Sequence, residues 1–183
     1  MASWAKRPGT RGYGRRRRDG QRVIAFVLLL VLLGFYAYQQ WTTWPTSPLI
    51  GRARVLDGDS LEISGTQLRL EGIDAPESDQ TCVDAKGQTW SCGKASAQEL
   101  RHHVAGRELT CTVSGRDKYQ RMLAFCSAPD GSDVNAWIVR QGWALAFGDG
   151  WKYRSEQREA EAAERGIWAG TFLPPSEWRR RHP

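Results

Sequence analysis

The 183-residue chain has little of what marks a zinc protein. Its four cysteines, Cys82, Cys92, Cys111 and Cys126, are separated by nine, 18 and 14 residues. None forms the close pair that zinc ligation uses, and none of the three histidines stands near them at ligand spacing, so a structural zinc site is excluded. There is no internal repeat, which excludes a solenoid or propeller array. Nor is there an excess of positive charge where a folded domain would lie. Before Pro45 the chain has eight Lys/Arg and one acid, Asp19; from Pro45 onward it has 18 Lys/Arg and 19 Asp/Glu. The net charge of +6 and the pI of 9.4 therefore belong to the N-terminal tail. Any affinity of the remainder for a polyanion must come from particular side chains rather than from a general field.

What is present begins with one long apolar run. Val23–Tyr38 is sixteen residues without a charge, preceded by Arg15–Arg18 and Arg22 and followed by Trp41 and Trp44. With its ends included it is long enough to cross a bilayer, which takes about 20 apolar residues. Tyr36, Tyr38, Trp41 and Trp44 suit an interfacial belt, and the arginines hold their flank in the cytoplasm. A small-residue cleavage site is missing after the run, so an uncleaved anchor is preferred to a removed signal peptide. A twin-arginine export signal rests only on arginine pairs. A buried core helix would need a large protein around so uniformly apolar a segment. The expected organisation is a basic disordered cytoplasmic tail (1–22), a transmembrane signal anchor (23–41), a linker (42–49), a folded domain (50–170) on the periplasmic or extracellular side, and a solvated C-terminal tail (171–183). An even cysteine count in an exported domain reads as two disulfides. Of the three possible connectivities, the preferred one joins Cys82 to Cys92, closing a Gly- and polar-rich loop, and Cys111 to Cys126, linking two strands expected to be neighbours. Each would contribute roughly 3 kcal/mol by chain-entropy arithmetic.

Within the domain, Ile50–Leu56, Ser60–Ile63 and Gln67–Ile73 read as strands separated by turns at Asp57-Gly58-Asp59 and Ser64-Gly65-Thr66. A long loop spans Ser78–Gly93, and a helix is expected over Lys94–Ala105, closed by Gly106. Two more strands, Glu108–Val113 and Arg121–Cys126, flank a polar loop. Asp133 can cap a helix to Gln141. Ser155–Arg165, rich in Ala, Glu and Arg, should be the best helix. This order suits an α+β fold, a five-stranded OB-type Greek-key barrel with three helices, preceded by the single transmembrane helix.

Three segments concentrate charge at strand ends and turns: Asp57-Gly58-Asp59-Ser60, Arg69-Leu70-Glu71-Gly72-Ile73-Asp74-Ala75-Pro76-Glu77 and Asp117-Lys118-Tyr119-Gln120-Arg121. In this order, with Val139-Arg140-Gln141-Gly142 downstream, they resemble the active-site segments of the staphylococcal-nuclease (thermonuclease) family. The likeness runs from about Arg54 to Trp168.

The resemblance implies a calcium-dependent nuclease acting on DNA and/or RNA and leaving 3′-phosphate ends. Asp59 and Asp74 would bind Ca2+ through carboxylates, and Ala75, where the family commonly has Thr, through its backbone carbonyl. Glu77 would position or deprotonate the attacking water. Arg69 and Arg121 would hold the phosphate, while Lys118 and Tyr119 would contact a terminal phosphate. Elementary chemistry agrees. A hard cation takes oxygen ligands, paired guanidiniums grip a phosphate as charge builds on it, and a carboxylate can accept the proton of water. Each residue also has a plainer reading. Asp57 and Asp59 are turn formers beside Gly58, Arg69 a solvated strand charge, Glu77 a loop acid, and Arg121 a surface partner of Asp117. Glu71 is assigned to salt bridging beside Arg69, and His102, His103 and His182 to the surface. Phe147, Trp151 and Tyr153 are either base-stacking platforms or core. The rival functions are a non-catalytic OB-fold module that binds nucleic acid or another ligand, and a tethered spacer. Nothing in the chain marks a protein partner, and a monomer is expected.

Overall fold

The apolar run is helical throughout in the computed structural model, which describes the backbone of residues 14–42, 47–148 and 150–182 and the side chains of residues 21–38, 47–148 and 151–182. The chain divides into two units, Met1–Thr43 and Trp44–Pro183. In the first, helix α1 spans Gly14–Thr42. Its Gln21–Tyr38 window has a mean hydropathy of 1.9, and none of it is buried. By length and composition it is a candidate membrane span. It is not a core helix, because its large apolar side chains are 51–66% exposed. Residues 14–22, expected to be disordered, belong to this helix. Arginine is a good helix former, and extending an existing helix costs far less than nucleating one. Trp44 and the side chain of Trp41, expected in the interfacial belt, lie outside the described residues, as do Pro45 and Thr46 of the linker.

The second unit carries β1 (Leu49–Arg52), β2 (Arg54–Val55), β3 (Ser60–Ile63), β4 (Thr66–Leu70), β5 (Ile73–Asp74), β6 (Cys82–Val83), β7 (Thr89–Trp90), α2 (Cys92–Val104), β8 (Glu108–Arg116), β9 (Met122–Ser127), α3 (Val134–Arg140), β10 (Leu145–Ala146), α4 (Arg154–Ala162) and α5 (Pro175–Arg181). Six strands form one sheet in the order β1-β8-β9-β4-β3-β2. Its two outer strands are consecutive pieces of one stretch, Leu49–Val55, so the sheet has to curl back on itself. The result is a nearly closed barrel of the OB type. β4 and β9 run parallel across the seam, and the other pairings are antiparallel.

The five expected barrel strands become six because strands break where they change partner. Ile50–Leu56 splits at Ala53, with β1 on β8 and β2 on β3. Gln67–Ile73 breaks at Glu71-Gly72, where Gly72 has φ 78°, and β5 leaves the barrel to pair with β10. The Ser78–Gly93 loop contains the small β6–β7 hairpin. Among the described residues the domain has four α-helices rather than three, because the expected solvated tail forms α5.

The barrel interior holds Leu61, Ile63, Leu68, Leu70, Leu109 and Ala124, all at most 1% exposed, with Leu100 of α2 and Ile138 and Val139 of α3 against them. Fully burying aliphatic side chains of this size stabilises by ~1.5–3 kcal/mol each. The Asp133 carboxylate caps α3 by accepting from Ala136 N at 2.9 Å. Asn135, fully buried, ties α3 to the sheet by donating to the Glu71 and Ala124 carbonyls and accepting from Cys126 N. Cys111 and Cys126, cross-strand partners with Cα atoms 4.1 Å apart, are disulfide-bonded. Cys82 and Cys92 form the second disulfide, the centre of a smaller apolar cluster with Ile167, Trp90, Trp168 and Phe172. His103, expected to be a plain surface residue, stacks on Trp137 at 3.7 Å, and burial pulls its pKa below the ordinary imidazole value.

Candidate active site

Hairpin register starts the convergence. Ser60 lies opposite Arg69 across β3 and β4, so Asp59, one residue before, stands beside the guanidinium. Arg69 Nη1 donates to Asp59 Oδ1 at 2.8 Å, and its Nη2 donates to Asp74 Oδ1 at 2.8 Å. One planar fork thus bridges two carboxylates from two strand ends. This geometry suits Arg rather than Lys. Glu71, assigned from the sequence to salt bridging, accepts from the Ser114 hydroxyl.

Asp59 and Asp74 are 4% and 1% exposed. Asp59 also accepts from Ala75 N at 3.1 Å and from the Ser60 hydroxyl at 3.1 Å. Burial nonetheless pushes its pKa up to about 7; Arg69 opposes that rise, and Asp57 and Asp74 add to it. Asp57 serves its turn by accepting from Asp59 N at 3.0 Å, and it also lines the cleft. Gly58 is required here, because a Cβ would lie 2.7 Å from the Ala75 Cβ and 2.2 Å from the Ser96 hydroxyl. On the other flank, a Cβ on Gly93 would meet the Glu77 carbonyl oxygen at 1.6 Å. The start of α2 therefore packs directly on the backbone that carries Glu77.

Asp117 organises the loop between β8 and β9. Its Oδ1 accepts from Tyr119 N at 2.8 Å and Arg121 N at 3.0 Å, and its Oδ2 from Arg121 Nε at 2.7 Å. Partial burial raises its pKa, but these hydrogen bonds outweigh it and hold the carboxyl below its ordinary value. Lys118 Nζ and the Arg121 guanidinium lie 4.9 and 5.7 Å from the centre of the Tyr119 ring.

These pieces face one cleft of about 530 Å³. It is lined by Asp59, Arg69, Ala75, Glu77, Lys118, Tyr119 and Arg121, together with Asp57 and Phe147. Asp74, buried, is not among the lining residues and meets the cleft through its hydrogen bond from Arg69. One further lining residue, Arg179 of α5, was expected in a solvated tail. It pairs with Asp74 at 3.0 Å and Glu77 at 2.5 Å. Its only signal in the sequence is a basic run after Pro174-Pro175, with proline at the start of α5.

A second hollow of about 540 Å³ adjoins the cleft, sharing Arg69, Asp117 and Phe147. Phe147 and Trp151 are exposed there, at 49% and 75%. Tyr153 is buried at 1%, with its hydroxyl donating to Asp133. Of the three aromatics left open between stacking and core, Tyr153 is core.

For a hard cation the cleft offers buried carboxylate oxygens, one of them on an acid whose burial Arg69 offsets only in part. That donor chemistry fits calcium. Among the described residues no three Asp, Glu, His or Cys side chains gather as a ready cage. The fit therefore relies on backbone, water and phosphate oxygens for the rest of the shell.

A small barrel whose cleft combines acids, a bridging guanidinium and a basic aromatic loop has the side-chain chemistry that a phosphate group calls for. The model for staphylococcal nuclease homologues matches residues 67–170, and the chain belongs to that family. A succinoglycan biosynthesis protein of Rhizobium meliloti is 41% identical over 124 residues, 66% of this chain and 65% of the relative. The chain thus spans just under two thirds of that relative. A protein of Escherichia coli O157:H7 named as an uncharacterized endonuclease is 35% identical over 153 residues, 76% of this chain and 92% of its own. A Haemophilus influenzae protein of the same name is 30% identical over 137 residues, 70% and 71% of the two chains. Asp59 and Arg179 lie outside the stretch matched by the family model.

Proposed function

We propose that the domain is a calcium-dependent nuclease that hydrolyses phosphodiester bonds of DNA and/or RNA. The observation that carries this reading is Arg69 bridging Asp59 and Asp74 at 2.8 Å in the cleft that also receives Glu77 and the Lys118–Arg121 loop. The endonuclease names of the Escherichia coli and Haemophilus influenzae relatives support it.

Asp59, Asp74 and the Ala75 carbonyl would hold Ca2+. When bound, the ion would polarise the phosphoryl group. Arg69 and Arg121 bind the non-bridging phosphate oxygens, and their hydrogen bonds strengthen as negative charge accumulates there. Glu77 accepts the proton of the attacking water at a carboxylate oxygen. The water oxygen bonds to phosphorus as the P–O5′ bond breaks, leaving a 3′-phosphate. Lys118 and Tyr119 orient a neighbouring phosphate, and the exposed Phe147 and Trp151 offer faces for a base.

The chain acts as a monomer anchored by α1, with the nuclease domain periplasmic or extracellular. The unburied apolar helix and the two disulfides support the anchor and the exported side. The domain boundaries proposed are those expected above, with the nuclease domain extended to take in α5. Digestion of single-stranded DNA with Ca2+ and then with a chelator tests the activity. Loss of cleavage on chelation and in Glu77→Gln supports the reading. Tight binding without cleavage would favour the non-catalytic module instead.

A further inference from the structure

The C-terminal segment is fastened to the active-site loop at successive points. Thr171 pairs with Val83 through two backbone hydrogen bonds of 2.8 and 2.9 Å. Gln80, fully buried, donates its amide to the Leu173 carbonyl at 2.7 Å and accepts from Glu77 N at 3.2 Å. One side chain thus joins the strap to the residue that carries the proposed general base. Phe172 packs edge-on to Trp168 beside the Cys82–Cys92 disulfide. Pro174 and Pro175 then start α5, with Pro175 buried. A chain held this firmly delivers its next long cation to a set place.

That cation is Arg179. Its Nη1 and Nη2 donate to Asp74 Oδ1 and Oδ2, both at 3.0 Å, and Nη1 also donates to Glu77 Oε1 at 2.5 Å. Fork-to-carboxylate pairing of this kind is the strongest form of charge-assisted hydrogen bond. Both oxygens of Asp74, itself 1% exposed, are therefore taken, and Oδ1 is shared with Arg69. In charge terms, Asp59, Asp74 and Glu77 face Arg69 and Arg179, so one negative charge stays uncompensated. A divalent ion that needs an Asp74 oxygen must detach a guanidinium hydrogen bond and tolerate a like charge close by.

We infer that Arg179 is a positioning residue that occupies the cation side of the site: it pins Asp74 and Glu77, and a divalent ion has to displace it from Asp74. The strap through Gln80 and Thr171 brings the start of α5, and with it Arg179, to the acid side of the cleft. The inference rests on the proposed reading of this site as a calcium-dependent one.

Calcium titration of the full-length chain in detergent, followed by calorimetry, tests it. Arg179→Ala and Arg179→Gln should each bind Ca2+ about tenfold more tightly than the parent, because a competing unit charge is gone. Arg179→Lys, which keeps the charge but loses the fork, should fall between. Circular dichroism should show the same fold in all four proteins. Lys86→Ala, which removes an exposed cation from the turn between β6 and β7, should leave calcium affinity within twofold of the parent. Equal or weaker calcium binding in both neutral Arg179 variants overturns the inference while leaving the nuclease reading intact. A parent chain that binds no calcium and cleaves DNA equally well in chelator overturns both.

Discussion

The two lips of the cleft are built differently. On the acid side, Asp59 and Asp74 are 4% and 1% exposed and held from strand ends by Arg69. On the basic side, Tyr119 is 67% exposed, and Lys118 and Arg121 sit on a loop whose chief organiser is the Asp117 carboxylate. The acid lip is part of the fold, so changes there should disturb stability and chemistry together. The basic lip hangs from the fold, so changes there should disturb chemistry with little change in stability.

Arg69→Ala should give the largest effect. It leaves two buried carboxylates without their shared counter-charge, and breaking a buried pair by removing one partner costs about 3–5 kcal/mol. Loss of a phosphate-holding guanidinium should also lower kcat by about 10²–10³-fold. Denaturant unfolding and DNA digestion together check this. An unchanged stability would show that the acid lip is not integral to the fold. Arg121→Ala sharpens the comparison. It should cost a similar factor in kcat, yet shift stability by only about 1 kcal/mol, because its partner Asp117 is part-buried at the surface rather than sealed beneath it. Glu77→Gln lies between. It removes proton acceptance, worth about 10²–10⁴-fold in rate, and weakens one Arg179 contact, so a smaller stability change than for Arg69→Ala is expected.

Much of the acid lip was legible in the sequence because short-range turns and strand register build it. Asp57-Gly58-Asp59 turns into β3, and the β3–β4 hairpin sets Ser60 against Arg69. The order of three charged segments was enough to predict one site. What escaped was what depends on long-range docking. Arg179 lies 105 positions from its partner Asp74, and no local pattern distinguishes it from a solvated basic tail. Gln80 likewise reads as a loop residue, and its role follows only from being fully buried between Glu77 N and the Leu173 carbonyl. The strand breaks at Ala53 and Glu71-Gly72 were missed for a related reason. Alternation shows that a segment is extended but not that it changes partner midway. Tyr153 shows the same limit: an aromatic near a cleft is assigned to stacking or core only once its burial is known.

The smallest expected effect concerns Asp117, and it tests whether the basic lip is held by charge. Hydrogen bonds from Arg121 and Tyr119 outweigh partial burial and keep this carboxyl below its ordinary value. A carboxyl depressed in the folded state binds its proton more readily when unfolded. Its contribution is therefore complete above the ordinary carboxylate pKa of 3.8 and is lost as pH falls through the lower folded value. Asp117→Asn removes that contribution at all pH values. The stability gap between parent and variant should be constant near neutrality and shrink toward zero below about pH 4. A gap that persists unchanged into strong acid would mean that neutral hydrogen bonds, rather than the Asp117 charge, hold the loop. Arg121 would then keep its place on the basic lip even when that carboxylate is protonated.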